Sequence, residues 1–248
     1  MPNEPLSGNH QMDAAIRSLQ LRAWSCAVTV RIARVTGSAE TSWKTASGVL
    51  IEFRRGAVIA TSWHVLEEFR RLRATGETVA LVCGNLPIPA PRTVYRDETA
   101  DIAFIQVPAQ HHGGIGAVPY RPGTAWPPVR VVAEDAVLLC GFPKRFRHDG
   151  TEILHGDLNL LLSVSTVADD HFKLQVDWPS LVQAGRAKLP LGQTDFGGVS
   201  GGPVFLWDGG GNPLVGLIAE AGDTLPIWRV AALAGVSFDP EAVKAEPV

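Results

Sequence analysis

Gly197-Gly198-Val199-Ser200-Gly201-Gly202-Pro203 is the stretch on which the reading of this chain turns. Four glycines and a proline around one serine exclude a helix interior and a central strand. The stretch is a loop, and its glycines permit backbone angles closed to other residues and let another backbone come close. Such a loop can aim the N–H groups of Gly198 and Ser200 at one point, as stabilising a tetrahedral oxyanion requires. A serine hydroxyl is a weak nucleophile by itself. The loop therefore acquires meaning only if a base and an orienting carboxylate lie elsewhere in the chain.

Working outward, two residues qualify. His64 is one of seven histidines. His10, His111, His112, His148, His155 and His171 lie in polar or glycine-rich stretches and read as surface residues. His64 instead follows the apolar run Ala57-Val58-Ile59-Ala60-Thr61 at its exit. Asp101 opens the apolar run Ile102-Ala103-Phe104-Ile105-Gln106-Val107. A polar group so placed has a partner or a purpose, and taken alone each reads equally as a core-edge residue. Taken with Ser200 they supply a nucleophile, a base and an orienter. In that scheme Ser200 attacks a carbonyl and His64 accepts the hydroxyl proton. Asp101 fixes the imidazole tautomer, and the N–H groups of Gly198 and Ser200 hold the oxyanion.

Composition sets the frame. The 248 residues are 46% hydrophobic, enough for one large domain or two small ones. A formal net charge of −3 gives no electrostatic case for nucleic acid or an anionic membrane. Cys26, Cys83 and Cys140 are far apart in apolar runs, and read as buried free thiols in a reducing compartment. No basic start and apolar core mark a signal peptide, and no apolar run reaches the roughly 18 residues that cross a bilayer. The expected location is the cytoplasm. No metal-ligand pair of the His-x-x-x-His or Cys-x-x-Cys kind occurs, and the glycine loop lacks the lysine of a phosphate-binding loop, so no metal and no cofactor are expected.

The hydrophobic pattern is that of an all-β protein. Alternating or apolar runs place strands at 26–32, 78–83, 92–96, 101–107, 129–133, 136–140 and 225–230. Hairpins are expected at 48–61, 158–176 and 204–219. A short helix capped by Asp13 should end near Ala23, and another should cover 65–74 with Arg70, Arg71 and Arg73 on a solvated face. Residues 36–46 read as a loop. The Pro-, Gly- and His-rich segment 111–128 reads as a linker. The organisation that follows is a flexible tail (1–12), a first barrel with its leading helix (13–110), the linker, a second barrel (129–240) and a tail (241–248).

Three segments carry a family resemblance. Thr61-Ser62-Trp63-His64-Val65, Asp101-Ile102-Ala103-Phe104-Ile105 and Gly198-Val199-Ser200-Gly201-Gly202-Pro203, in that order, resemble the signature segments of the chymotrypsin/trypsin-like serine peptidases. Ser47-Gly48-Val49-Leu50-Ile51 resembles the strand before the histidine segment in bacterial members. Leu138-Leu139-Cys140-Gly141-Phe142-Pro143 resembles the first strand and turn of their second barrel. The resemblance implies two six-stranded antiparallel β-barrels with the catalytic residues in the cleft between them. It also implies a serine endopeptidase that works through an acyl-enzyme on a protein or peptide substrate. The alternatives are a catalytically silent fold kept as a binding module, and an esterase using the same residues.

The chain departs from the secreted members at two places. Val199 stands where they carry the aspartate that pairs with a new N-terminus after cleavage, so activation of that type is not expected. Trp63 replaces a usually small residue. An oxyanion loop without its acid raises the expectation of an activating protein partner. By family position Thr194, Asp195 and Phe196, with Ala219, Glu220 and Ala221 on the opposite wall, line the pocket for the residue before the cleaved bond. Two carboxylates there point to Arg or Lys, with small or polar residues as the alternative. A disulfide-free member of this kind is similar to peptidases that bacteria encode beside other proteins in stress or antiphage defence. Nothing in the residues indicates an oligomeric state.

Overall fold

The computed structural model describes residues 8–36, 39–108, 111–122, 126–144, 147–149, 153–155, 158–176, 196–208, 211–221 and 227–243. Helix α1 (Gly8–Cys26) leads into strands β1 (Ala27–Thr36), β2 (Ala39–Phe53) and β3 (Gly56–Thr61). Helix α2 (Trp63–Ala74) follows, then β4 (Val79–Cys83), β5 (Leu86–Ile88), β6 (Thr93–Asp97) and β7 (Ile102–Val107). Helix α3 (His112–Ile115) begins the passage to the second half. There lie β8 (Ala136–Gly141), β9 (Arg147–Asp149), β10 (Ile153–His155), β11 (Leu158–Val167) and β12 (His171–Gln175), and then β13 (Pro203–Leu206), β14 (Leu214–Ala221) and β15 (Ile227–Ala232).

The second half holds a closed six-stranded antiparallel barrel in the order β11-β12-β15-β14-β13-β8. Closure removes both sheet edges. Its interior is filled by Val137, Leu139, Phe172, Leu174, Val204, Ile218, Trp228 and Val230. The first half is a curled seven-stranded antiparallel sheet, β5-β4-β1-β2-β3-β7-β6, and it stays open. The expectation of two closed barrels is therefore met for one half only. The open side has a reason in the chain: β5 carries Pro87, and Pro89 and Pro91 follow it. Proline donates no ladder hydrogen bond, which suits a short edge strand and ends its pairing.

Several local expectations change. Residues 39–46 form the first part of β2 and pair with β1 from Thr36↔Ala39 inward, so the expected loop is a long hairpin arm. Alternation is obscured there by Glu40, Thr41, Ser42, Lys44 and Thr45. Helix α1 starts at Gly8, which puts Asp13 inside it and takes residues 8–12 out of the expected tail. The expected strand at 129–133 does not form. Asp135 Oδ2 accepts the Val132 N–H at 2.7 Å and Glu134 turns the backbone at φ 72°, so the segment becomes a turn. The linker is also tied down. Tyr120 exchanges backbone hydrogen bonds with Leu50 and Glu52 (2.8 and 2.9 Å), and its hydroxyl accepts the Leu214 N–H at 3.1 Å.

A second apolar cluster joins the two halves. Val49, Ile51 and Phe104 from the open sheet meet Leu138, Cys140, Phe205 and Leu217 from the barrel, and Leu19 and Ala23 of α1 are buried among them. Burying a leucine such as Leu19 contributes about 1.5–3 kcal/mol. Arg22 Nη1 donates to the Gly211 carbonyl (2.6 Å), and the Ser25 carbonyl accepts the Val118 N–H (2.7 Å).

All three cysteines are buried thiols outside any disulfide. Burial pushes the Cys26 and Cys83 thiols up to about 12, so neither offers a thiolate at neutral pH. A thiol titration with an aromatic disulfide reagent is expected to find no fast-reacting cysteine in the folded protein and three in guanidinium chloride. A fast-reacting thiol in the folded state would contradict this burial.

Candidate active site

The site forms where three chain segments end at the junction of the halves. Strand β3 stops at Thr61 and α2 begins at once, so His64 lies in the first turn of that helix. Ser62 is the cap residue, extended at φ −70° and ψ 138°. Beneath it Trp63, Val65, Leu66, Phe69 and Leu72 are buried against the sheet. This packing fixes the helix axis and with it the His64 backbone. Arg70 and Arg96 stack over the Trp63 ring at 4.8 and 5.2 Å, and Arg71 pairs with Glu68. Of the arginines expected on a solvated face, Arg70 therefore also covers the residue beside His64.

Asp101 sits one residue ahead of β7, which pairs with β3 in the register Thr61↔Ala103. That pairing brings the two strand ends together. Asp101 Oδ2 lies 2.8 Å from His64 Nδ1, and Asp101 Oδ1 accepts the His64 backbone N–H at 2.8 Å. The Asp101 carbonyl accepts the Trp63 N–H at 3.1 Å. The residue is held in the left-handed region at φ 59°. Asp tolerates this region better than most residues, and such backbone geometry concentrates at functional sites. The Asp101 side chain is 19% exposed and that of His64 38%. The carboxylate is thus covered while the imidazole faces the opening.

Ser200 lies in the turn ahead of β13. Val199 is fully buried in the barrel core and anchors the turn from below. Gly201 adopts φ 85°, and a Cβ there would press on the Ser47 carbonyl and come within 2.6 Å of Thr61 Oγ1. Only glycine lets the serine turn dock this closely on the first half. The Gly201 N–H donates to the Ile218 carbonyl (2.6 Å) and the Gly202 N–H to the Val199 carbonyl (2.9 Å). Among the described residues no acceptor takes the N–H of Gly198 or of Ser200. These are the two donors singled out in the sequence, and the described residues leave them open.

His64, Asp101 and Ser200 line one cleft of about 530 Å³ together with Phe196, Ala219, Glu220 and Ala221. Thr194 and Asp195 lie outside the described residues, so of the two carboxylates expected at the pocket Glu220 alone is described here. The cleft is also lined by Trp63, whose bulk the sequence marked as a departure, and by Glu67, Glu98, Thr99 and Arg229, which sequence reasoning did not pick out. Glu98 and Thr99 could have been found as the residues just before Asp101. Arg229 had no local signal: it enters because β15 places it opposite Glu220 on β14. Its Nη2 donates to the Thr99 carbonyl across the cleft at 3.2 Å, so the guanidinium offsets part of the carboxylate charge.

Among the described residues, no helix is long and apolar enough to cross a membrane. A family model described as a trypsin-like peptidase domain matches residues 46–217, more than two thirds of the chain, including all three of these side chains. The comparison with curated proteins finds no match.

Proposed function

Because the chain belongs to the trypsin-like peptidase domain family, we propose that it hydrolyses peptide bonds with Ser200 as nucleophile, His64 as general base and acid, and Asp101 as the group that orients His64. The observation that carries this reading is the meeting of His64, Asp101 and Ser200 on one cleft, with the imidazole already tethered through Nδ1.

The chemistry then runs in two halves. The Ser200 hydroxyl attacks the scissile carbonyl while its proton passes to His64 Nε2. The oxyanion that forms is held by the N–H groups of Gly198 and Ser200. His64 returns the proton to the leaving amine, the C–N bond breaks, and an ester to Ser200 remains. Water, activated by the same imidazole, releases the acid and restores the serine. Asp101 keeps its hydrogen bond to His64 Nδ1 and stabilises the imidazolium.

Glu67, Glu98 and Glu220 give the described part of the cleft an acidic lining, offset by Arg229. This supports cationic residues, Arg or Lys, near the cleaved bond; small or polar residues are the alternative. The substrate we propose is a particular protein in the same compartment, as for peptidases encoded within bacterial defence systems.

Fluorophosphonate labelling joined to peptide-library cleavage tests the proposal. The expected result is stoichiometric labelling at Ser200 and cleavage of peptides with a basic residue before the scissile bond. Labelling with turnover of simple esters alone would make the protein an esterase. Absence of both labelling and cleavage would leave a silent trypsin-like fold acting as a binding module.

A further inference from the structure

With valine at position 199, no acidic side chain anchors the nucleophile loop from within. Its support comes from elsewhere in the chain, and much of it passes through one residue. Ser47, on β2 of the open sheet, is completely buried. Its backbone N–H donates to the Ser200 carbonyl at 2.8 Å. Its Oγ donates to the Gly198 carbonyl at 2.8 Å and accepts the Phe142 N–H at 2.9 Å. Two residues past Phe142, the Lys144 N–H donates to the Gly197 carbonyl at 2.7 Å.

These contacts bear directly on the proposed oxyanion donor. A peptide unit is planar, so holding the Gly197 carbonyl holds the Gly198 N–H on the other side of the same unit. Holding the Gly198 carbonyl fixes the next unit. Between them Gly198 is pinned at φ 100°, in a region where glycine otherwise moves freely. The Ser47 hydroxyl also ties the Phe142–Lys144 segment to the loop, so both pins depend on it.

We infer that Ser47 is a positioning residue for this reaction: its hydroxyl holds the oxyanion loop assembled in place of an ion pair at residue 199. The inference rests on the peptidase reading above. Removing the hydroxyl leaves the buried Phe142 N–H without a partner and releases the half-buried Gly198 carbonyl from its anchor. The loop is then free to turn about Gly198, which displaces the Gly198 N–H.

The test compares full-length wild type, Ser47→Ala and Ser47→Cys, with rates expressed per fluorophosphonate-titratable serine so that only folded molecules count. Ser47→Ala is expected to lower kcat about 10- to 100-fold, somewhat less than outright loss of an oxyanion donor, with KM changed by less than about threefold. Affinity for a peptide boronate, whose tetrahedral adduct uses the same donors, should fall in step with kcat/KM. Ser47→Cys, which keeps a weaker donor, should fall between the two, and it carries the comparison if Ser47→Ala does not fold. A kcat within about twofold of wild type in the folded variant, or a loss confined to KM, overturns the role of Ser47 alone. A wild type that neither labels nor cleaves overturns the peptidase reading and this inference with it.

Discussion

Ser200→Ala is expected to lower kcat by about 10⁵–10⁶-fold, the scale on which removing the nucleophile of a serine peptidase acts. The change is small in volume and leaves the loop's supports in place. Val199 remains in the core, and the Ser47 N–H still meets the carbonyl of residue 200. The variant should therefore fold like wild type, with a circular dichroism spectrum and melting temperature that match closely. Turnover of the best library peptide, measured at high enzyme concentration, gives the rate. Residual activity within about a hundredfold of wild type would remove Ser200 from the role of nucleophile.

Asp101→Asn is expected to cost about 10⁴-fold in kcat with little change in KM. Asparagine has the same shape and is one of the few residues at ease in the left-handed region that Asp101 occupies at φ 59°. Its amide oxygen can keep the bond that Asp101 Oδ1 makes to the His64 N–H. The amide nitrogen then faces His64 Nδ1, where a carboxylate oxygen now sits 2.8 Å away. An N–H at that place makes Nδ1 an acceptor and puts the ring proton on Nε2. That tautomer cannot take the proton of Ser200. Steady-state kinetics of the folded variant decide the matter, and a loss of less than about tenfold would mean that Asp101 does not set the tautomer.

The three side chains proposed to react were legible because each stands where an apolar pattern breaks. His64 and Asp101 end and open buried strands, and Ser200 interrupts a glycine run. What surrounds them was not. Arg229 reaches the cleft through cross-strand register with Glu220, a relation between segments that no local pattern records. Ser47 reads as a small polar residue before a glycine, and its role resides in three hydrogen bonds to distant backbone groups. In the fold, the buried strands β3, β4, β7 and β8 were plain from their composition. The polar arm of β2 was not, because its pairing with β1 stabilises it without apolar alternation. The open side of the first sheet was written in Pro87, Pro89 and Pro91, whose missing donors matter only once the neighbouring strands are known.

Helix α1 ties this arrangement together. Leu19 and Ala23 lie in the apolar cluster that the two halves share, and Arg22 and Ser25 hold a loop on either side. The leading segment is thus a rivet through the joint beside which His64 and Ser200 line one cleft. In enzymes switched on by trimming, the leader is a cover and its loss is the signal. Here a cut within α1 would draw out the rivet, and is expected to lower the proposed peptidase activity where such enzymes would gain it.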